Sequence, residues 1–185
     1  MTVTKLDMPT DDWIINSRRL RLRPFTPADA DQVFAAITPG LTRYMAFEPP
    51  VSEQAFAAVW QAWLPTIADA SDITFVIRRH EDEAFLGLAG LHRTADAEPE
   101  LGIWIAEAMH GQGYGREAVA AVWAYASRRL HCAAFRYPVA EQNTRSRRLA
   151  ESLGGAPVAR EQAVKYVAVV YRIPAAAPED ATGVA

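Results

Sequence analysis

At 185 residues the chain suits one domain of ordinary size, long enough to bury a core without disulfide or metal staples. Hydrophobic residues make up 50%, charged residues 22%, and the formal net charge is -3, which gives no broad electrostatic pull toward nucleic acid or an anionic membrane surface. The single cysteine, Cys132, excludes an intramolecular disulfide and fits a reducing, cytoplasmic compartment. It reads as a small buried hydrophobe at the start of a strand, because its neighbour His131 faces the other way on an extended chain.

Met1 to Thr10 mixes Lys5, Asp7 and Pro9 without an apolar core, so no signal peptide is expected. No later stretch approaches the roughly 20 apolar residues of a membrane span. Trp13 precedes the first predicted strand and suggests no functional role. Arg19 to Phe25, RLRLRPF, alternates nearly strictly and predicts a half-buried strand. Thr26-Pro27 then starts a helix to about Thr38, with Ala30, Val33, Phe34 and Ile37 on one face, and Pro39-Gly40 is expected to stop it. A loop over Leu41 to Pro50 carries Tyr44, Met45 and Phe47. Ser52 caps a second helix through about Ala68, in which Pro65 is a kink or an early end.

Ile73 to Arg78 and Ala84 to His92 predict a hairpin across the charged turn His80 to Glu83, and Glu100 to Ala106 a third strand of the meander. A glycine-rich stretch, HGQGYG from His110 to Gly115, opens a helix from Arg116 to Leu130 whose buried stripe is Val119, Val122, Ala126 and Leu130. Ala133 to Ala140 is a strand. Asn143 caps a short helix, Thr144 to Leu153, ended by Gly154. Strands near Val158 and from Lys165 to Ile173 complete the order β-α-α-β-β-β-α-β-α-β-β, a mixed α/β (α+β) sheet. The central strand–loop–helix–strand crossover requires part of that sheet to be parallel. Residues 1–174 read as a single domain without internal repeats and 175–185 as a loose tail of Ala, Pro, Gly and acid.

The glycine loop carries the most chemistry. Glycines at 111, 113 and 115 let successive amides turn inward, and a helix N-terminus adds its dipole and unpaired N–H groups. A phosphate or pyrophosphate is the natural guest. Arg116 in the first helical turn has the wrong charge for the dipole unless an anion lies there. A tight turn without a ligand is the simpler reading. A dinucleotide fingerprint fails because Arg116 stands where its third glycine belongs, and a Walker loop fails for want of G-K-[ST]. The remaining reading is the pyrophosphate loop of acyl-CoA N-acyltransferases.

The segments RLRLRPFTPADADQVF, ELGIWIAEAMHGQGYGREAV and NTRSRRLAESLG, in this order from about Arg19 to Ile173, resemble the GNAT acetyltransferase superfamily. The nearest likeness is to the branch of ribosomal-protein-alanine N-acetyltransferases (RimJ/RimL-like). The resemblance implies an acyl-CoA-dependent N-acetyltransferase, with acetyl-CoA as co-substrate and no metal. The strand before the glycine loop is expected to splay from its neighbour, so that Ile103, Trp104 and Ile105 bond pantetheine like another strand. The pyrophosphate would lie on amides from His110, Gly111, Gln112, Gly113, Tyr114, Gly115 and Arg116. The family often has Arg or Gln at the position of His110. Asn143 matches the asparagine on the cofactor side of the cleft, a role compatible with helix capping.

The same resemblance implies that Ser146 faces the CoA thiol, although an ordinary helix serine is equally open. The tyrosine acid common in the family is absent, since Ala150 stands at its place. Glu100 matches the family's strand carboxylate, the base that frees the attacking amine, with a solvated strand-end glutamate as the alternative. His92 is the reserve base, because histidine as a residue type titrates near neutral pH. Arg145, Arg147 and Arg148 meet the 3′-phosphate of CoA or, for at least two of them, are simply solvated. Trp104 and Trp123 read as core. Tyr44, Phe47, Trp60 and Trp63 lie where the family builds its amine pocket, with core packing open for the tryptophans.

The expected mechanism is direct transfer, with the amide near Ile103 holding the oxyanion. A non-catalytic acyl-CoA-binding module of the same fold is the alternative. The acceptor, whether protein N-terminus, polyamine, aminoglycoside or amino acid analogue, is not legible. Oligomeric state is not legible either, although a homodimer is common in similar proteins.

Overall fold

The computed structural model describes residues 13–177, so the predicted leaderless N-terminus and the end of the tail lie outside the described residues. Its elements run β1 (Ile15–Asn16), β2 (Leu20–Pro24), α1 (Ala30–Ala36), α2 (Pro39–Thr42), α3 (Glu53–Ala68), β3 (Ile73–Arg79), β4 (Phe85–His92) and β5 (Glu100–Ile105). There follow α4 (Tyr114–Arg129), β6 (Ala134–Ala140), α5 (Thr144–Ser152), β7 (Ala156–Gln162) and β8 (Val167–Pro174). The strands form one sheet in the order β1-β2-β3-β4-β5-β6-β8-β7. Every neighbouring pair is antiparallel except β5 with β6.

Alternation along the strands sends one set of side chains to each face. On one face Leu20, Leu22, Phe75, Ile77, Leu101, Phe135, Val139 and Tyr171 pack under α4 with Val119, Val122 and Ala126. Trp13 belongs to this core, 1% exposed, with ring centroids 5.6 Å from Tyr125 and 6.5 Å from Phe75. On the other face α1 and α3 close a smaller core of Phe25, Val33, Phe56, Ile67, Val76 and Leu88.

Beneath α1, Asp29 is 1% exposed and paired with Arg23 at 2.6 Å and Arg78 at 2.9 Å. Burial pushes its carboxyl upward, but bonds from Arg23, the Thr26 N–H and Arg78 outweigh it and hold the group at about 2.

The predicted helix after Thr26 divides. Pro27–Asp29 is a 3-10 turn, α1 ends at Ala36, and Ile37 is extended. Pro39 does not stop a helix but starts one. Thr38 caps α2, its Oγ1 accepting the Leu41 N–H at 3.0 Å, and Pro39 occupies the first turn, where its missing N–H costs nothing. Ser52 caps α3 as expected, through the Ala55 N–H at 3.1 Å, and the helix runs through Pro65 to Ala68. Two further strand features escape the alternation rule. β1 is only two residues long, and β7 is an exposed edge strand along its whole length. The first tail residues are held, Ala175 N–H donating to Ala133 O and Ala176 N–H to Ser127 Oγ.

Candidate active site

β5 and β6 are paired at one position, Glu100 with Arg136. Beyond it the strands diverge, and the backbone of Ile103 to Ile105 is left without a ladder partner on the β6 side. The wedge opens into a cleft of about 660 Å³, bounded by β5, the glycine loop, the starts of α4 and α5, and the segment from α2 to Met45. Unpaired strand edges are costly unless covered or used, and here the open edge faces directly into the cavity.

The glycine loop closes the cleft at the end of β5. Gly111 has φ +79° and Gly113, the N-cap of α4, φ +81°, conformations open to glycine at little cost. The loop is braced from behind by Arg19. Its guanidinium donates to Gln112 O at 3.1 Å and to Glu117 Oε2 at 2.7 Å, and it stacks over the Tyr114 ring at 4.6 Å. Glu117 also accepts the Arg19 N–H and the Ser17 hydroxyl. Burial raises its carboxyl, these donors outweigh burial, and the net shift is downward.

Of the predicted cofactor residues, Ile103, Trp104, Ile105, His110, Gly111, Gly113, Tyr114, Gly115, Arg116, Asn143 and Ser146 all border the cleft, and Gln112 lies on the outer side of the loop. Two of them turn their side chains elsewhere. Tyr114 is 5% exposed, with its hydroxyl on Arg79, so the backbone is what it offers. His110 Nε2 donates to Ile105 O at 2.7 Å and ties the loop back to the strand end.

Arg116, Arg145 and Arg148 line the cleft, are exposed, and have no ion-pair partner among the described residues. Arg147 is different in kind, donating to Tyr171 Oη and Glu141 O. Three free guanidiniums around two helix N-termini make the cleft strongly attractive to a polyanion.

Asn143 caps α5 by accepting the Ser146 N–H at 3.2 Å, which leaves its amide NH₂ free. Ser146 Oγ lies 2.7 Å from Tyr137 Oη. Ala150 is fully buried, so no hydroxyl reaches the cleft from that position.

Glu100 and His92 are register partners across β4 and β5, on the face opposite α4, and neither lines the cleft. Glu100 Oε2 is held by Arg93 at 2.7 Å and approached by Arg136 at 3.6 Å. His92 Nδ1 bonds Asp72 Oδ1 at 3.1 Å, and its ring lies against Gly90, where a Cβ would meet Nε2 at 2.1 Å. A carboxylate only accepts, so Nδ1 is the donor of this bond, and Nε2 has no hydrogen-bond partner among the described residues. Burial first, then the charge of Glu100, push the Tyr166 phenol upward.

The four expected pocket aromatics are not brought together. Tyr44 lines the cleft and Phe47 is 44% exposed outside it. Trp60 and Trp63 pack on Phe25, at 6.0 and 5.2 Å, in the second core. Trp104 joins that core while also bordering the cleft, and Trp123 lies on the first core and donates to Pro174 O. Cys132 is half-buried against the first core, and burial raises its thiol. Sequence reasoning missed Tyr137, Asp72 and Lys165, which are placed by tertiary pairs, Tyr137 with Ser146, Asp72 with His92, and Lys165 with Thr42 O, Phe47 O and Glu48.

The sequence profile of the acetyltransferase (GNAT) domain matches residues 19–156. Among curated proteins no sequence match was found. The fold is similar to RimJ from Mycobacterium smegmatis in complex with CoA-disulfide, with TM-score 0.78 and 18% identity over 92% of each chain. It is also similar to spermidine N-acetyltransferase from Vibrio cholerae in complex with CoA and spermine, with TM-score 0.73 and 19% identity over 88% of this chain and 97% of that one. A GNAT-family acetyltransferase from Bacillus anthracis has TM-score 0.73 and 17% identity over 87% and 98%.

Proposed function

The chain belongs to the GNAT acetyltransferases and moves an acetyl group from acetyl-CoA to an amine, and from that premise we propose direct transfer in the β5–β6 cleft, with His92 as general base and Ser146 facing the leaving sulfur. The observation that carries this is the wedge itself, an unpaired strand edge leading to a glycine loop ringed by free guanidiniums. Pantetheine lies along Ile103 to Ile105, and the diphosphate on the amides from Gly111 to Arg116.

Only the neutral amine attacks the thioester carbon, so the ammonium must first lose a proton. His92 suits this step better than Glu100. Its Nε2 is free and its ring is oriented by Asp72, whereas a guanidinium already occupies Glu100 Oε2. Both lie beside the Gly102 edge rather than in the cleft, so the proton reaches them through water. The nitrogen–carbon bond then forms, the Ile103 amide holds the oxyanion, and the carbon–sulfur bond breaks with its electron pair going to sulfur. The acceptor is a protein N-terminus or a small-molecule amine. Among the described residues no helix is long and apolar enough to cross a membrane.

The test is free-thiol release from acetyl-CoA with a panel of peptide and small amines. Amine-dependent release is expected, and intersecting initial-rate lines would mark direct transfer. No thiol release with any class of amine would favour a CoA-binding module instead. With the best amine, H92N should lower turnover about 100-fold, a defect that shrinks at high pH, where the amine is already neutral. E100Q should cost far less. The reverse order would return the base role to Glu100.

A further inference from the structure

Tyr137 lies on β6 among the core-facing residues Phe135 and Val139 and is 2% exposed. Its hydroxyl has one partner among the described residues, Ser146 Oγ at 2.7 Å. A tyrosine this deep in an apolar layer needs no hydroxyl for packing, and a buried hydroxyl must be satisfied. The one that satisfies it belongs to the serine on the cleft wall.

We propose that Tyr137 is a positioning residue that turns the Ser146 hydroxyl hydrogen toward the thioester sulfur. This rests on the acetyl-transfer reading. Ser146 is in the first turn of α5, where a serine hydroxyl can rotate freely or bond back to the carbonyl four residues earlier. The phenol is the better donor of the pair, so its hydrogen occupies one lone pair of Ser146 Oγ and the serine hydrogen is left to point away, into the cleft. Burial pushes the Tyr137 phenol up to about 12, which keeps it protonated and donating across the working pH range.

In the transfer step the nitrogen–carbon bond forms and the carbon–sulfur bond breaks. The electron pair goes to sulfur, and the ammonium proton goes to the base. Ser146 donates a hydrogen bond to the developing thiolate, and Tyr137 gives up no proton. Of the other α5 residues, Thr144 and Ser152 also line the cleft, with the Ser152 hydroxyl donating back to Leu149 O, and Ala150 on the next turn is fully buried.

The experiment is a double-mutant cycle on the full chain, with kcat and the acetyl-CoA KM measured for wild type, Y137F, S146A and the double variant. Y137F keeps the ring, and its melting temperature checks that the core is intact. The expected result is a kcat loss of about tenfold in Y137F at unchanged acetyl-CoA KM, with no further loss when Y137F is added to S146A. A tyrosine that only packs would cost the same factor in both backgrounds, and that outcome overturns the proposal. Unchanged kcat in Y137F or in S146A overturns it too. Wild type without amine-dependent thiol release would sink the transfer reading itself, whereas an active wild type with an indifferent Y137F sinks this inference alone.

Discussion

Gly113 is where one residue's backbone decides whether the cleft can hold an anion. At φ +81° it aims the first amides of α4 into the cavity, and an added Cβ would meet Arg19 at 3.5 Å, an ordinary contact. Space is therefore not the obstacle. The strain is conformational, about 1–2 kcal/mol for a residue with a side chain in the left-handed region, and more for a β-branched one. G113V should therefore relieve itself by rotating the loop, with loss of CoA affinity of 100-fold or more and a melting temperature within a few degrees of wild type. Isothermal titration with CoA reads this directly. Affinity equal to wild type would reduce the loop to a turn. This residue was legible in the sequence because phosphate binding at a glycine loop is a local device. Tyr137 and Asp72 were not. Each is bonded to a side chain on another element, Ser146 or His92, and an inward tyrosine on a strand looks like any other core residue.

Between elements, the β7–β8 turn and the loop after α2 are joined by one lysine. Lys165 Nζ donates to Thr42 O at 2.9 Å and Phe47 O at 3.2 Å and pairs with Glu48 at 2.9 Å, with its side chain 22% exposed. From the other side Glu107, in the 3-10 turn after β5, accepts the Thr38 hydroxyl. The segment carrying Tyr44 and Met45 along the cleft is thus fastened at both ends. Hydrogen bonds to a charged donor are worth about 1.5–3 kcal/mol each when formed, enough to hold a short loop. K165A should free this wall and raise the amine KM about tenfold while the acetyl-CoA KM stays put. An equal rise in both would mean that the lysine supports the whole cleft. The turn of chain at Thr38 also shows why the α1–α2 boundary was misjudged from sequence. Pro39-Gly40 reads as a helix stop, but a capping threonine before a proline is equally a start signal. Hydrophobic periodicity identified the longer helices, whereas one-turn elements carry too few residues to show a period.

At the scale of the whole molecule, the sheet is two blocks meeting at a weak seam. β1 to β5 form one antiparallel block and β6, β8 and β7 another, and the blocks share a single register pair. Ion pairs reinforce the seam, with Arg136 set toward Glu100 at 3.6 Å and Arg172 bonded to Glu98 at 2.6 Å. A ligand lying in the wedge touches β5 and the α4 start on one side and α5 on the other, so it binds a geometry that exists only when both blocks are docked. Binding restricted to the native state stabilises by about 2.7 kcal/mol at a ligand concentration 100 times Kd. For a chain of this size each kcal/mol is worth about 2–4 °C, so saturating acetyl-CoA should raise the melting temperature by roughly 5–10 °C. Free CoA should do nearly as well, since the loop and the free guanidiniums read phosphates rather than the acyl group. Dephospho-CoA should do less if Arg145 or Arg148 meets the 3′-phosphate, and R145A/R148A should erase that difference. Scanning fluorimetry with the three ligands separates these cases. No shift with any of them at millimolar concentration would mean that the wedge does not hold the cofactor, and pantetheine pairing along β5 would have to be abandoned.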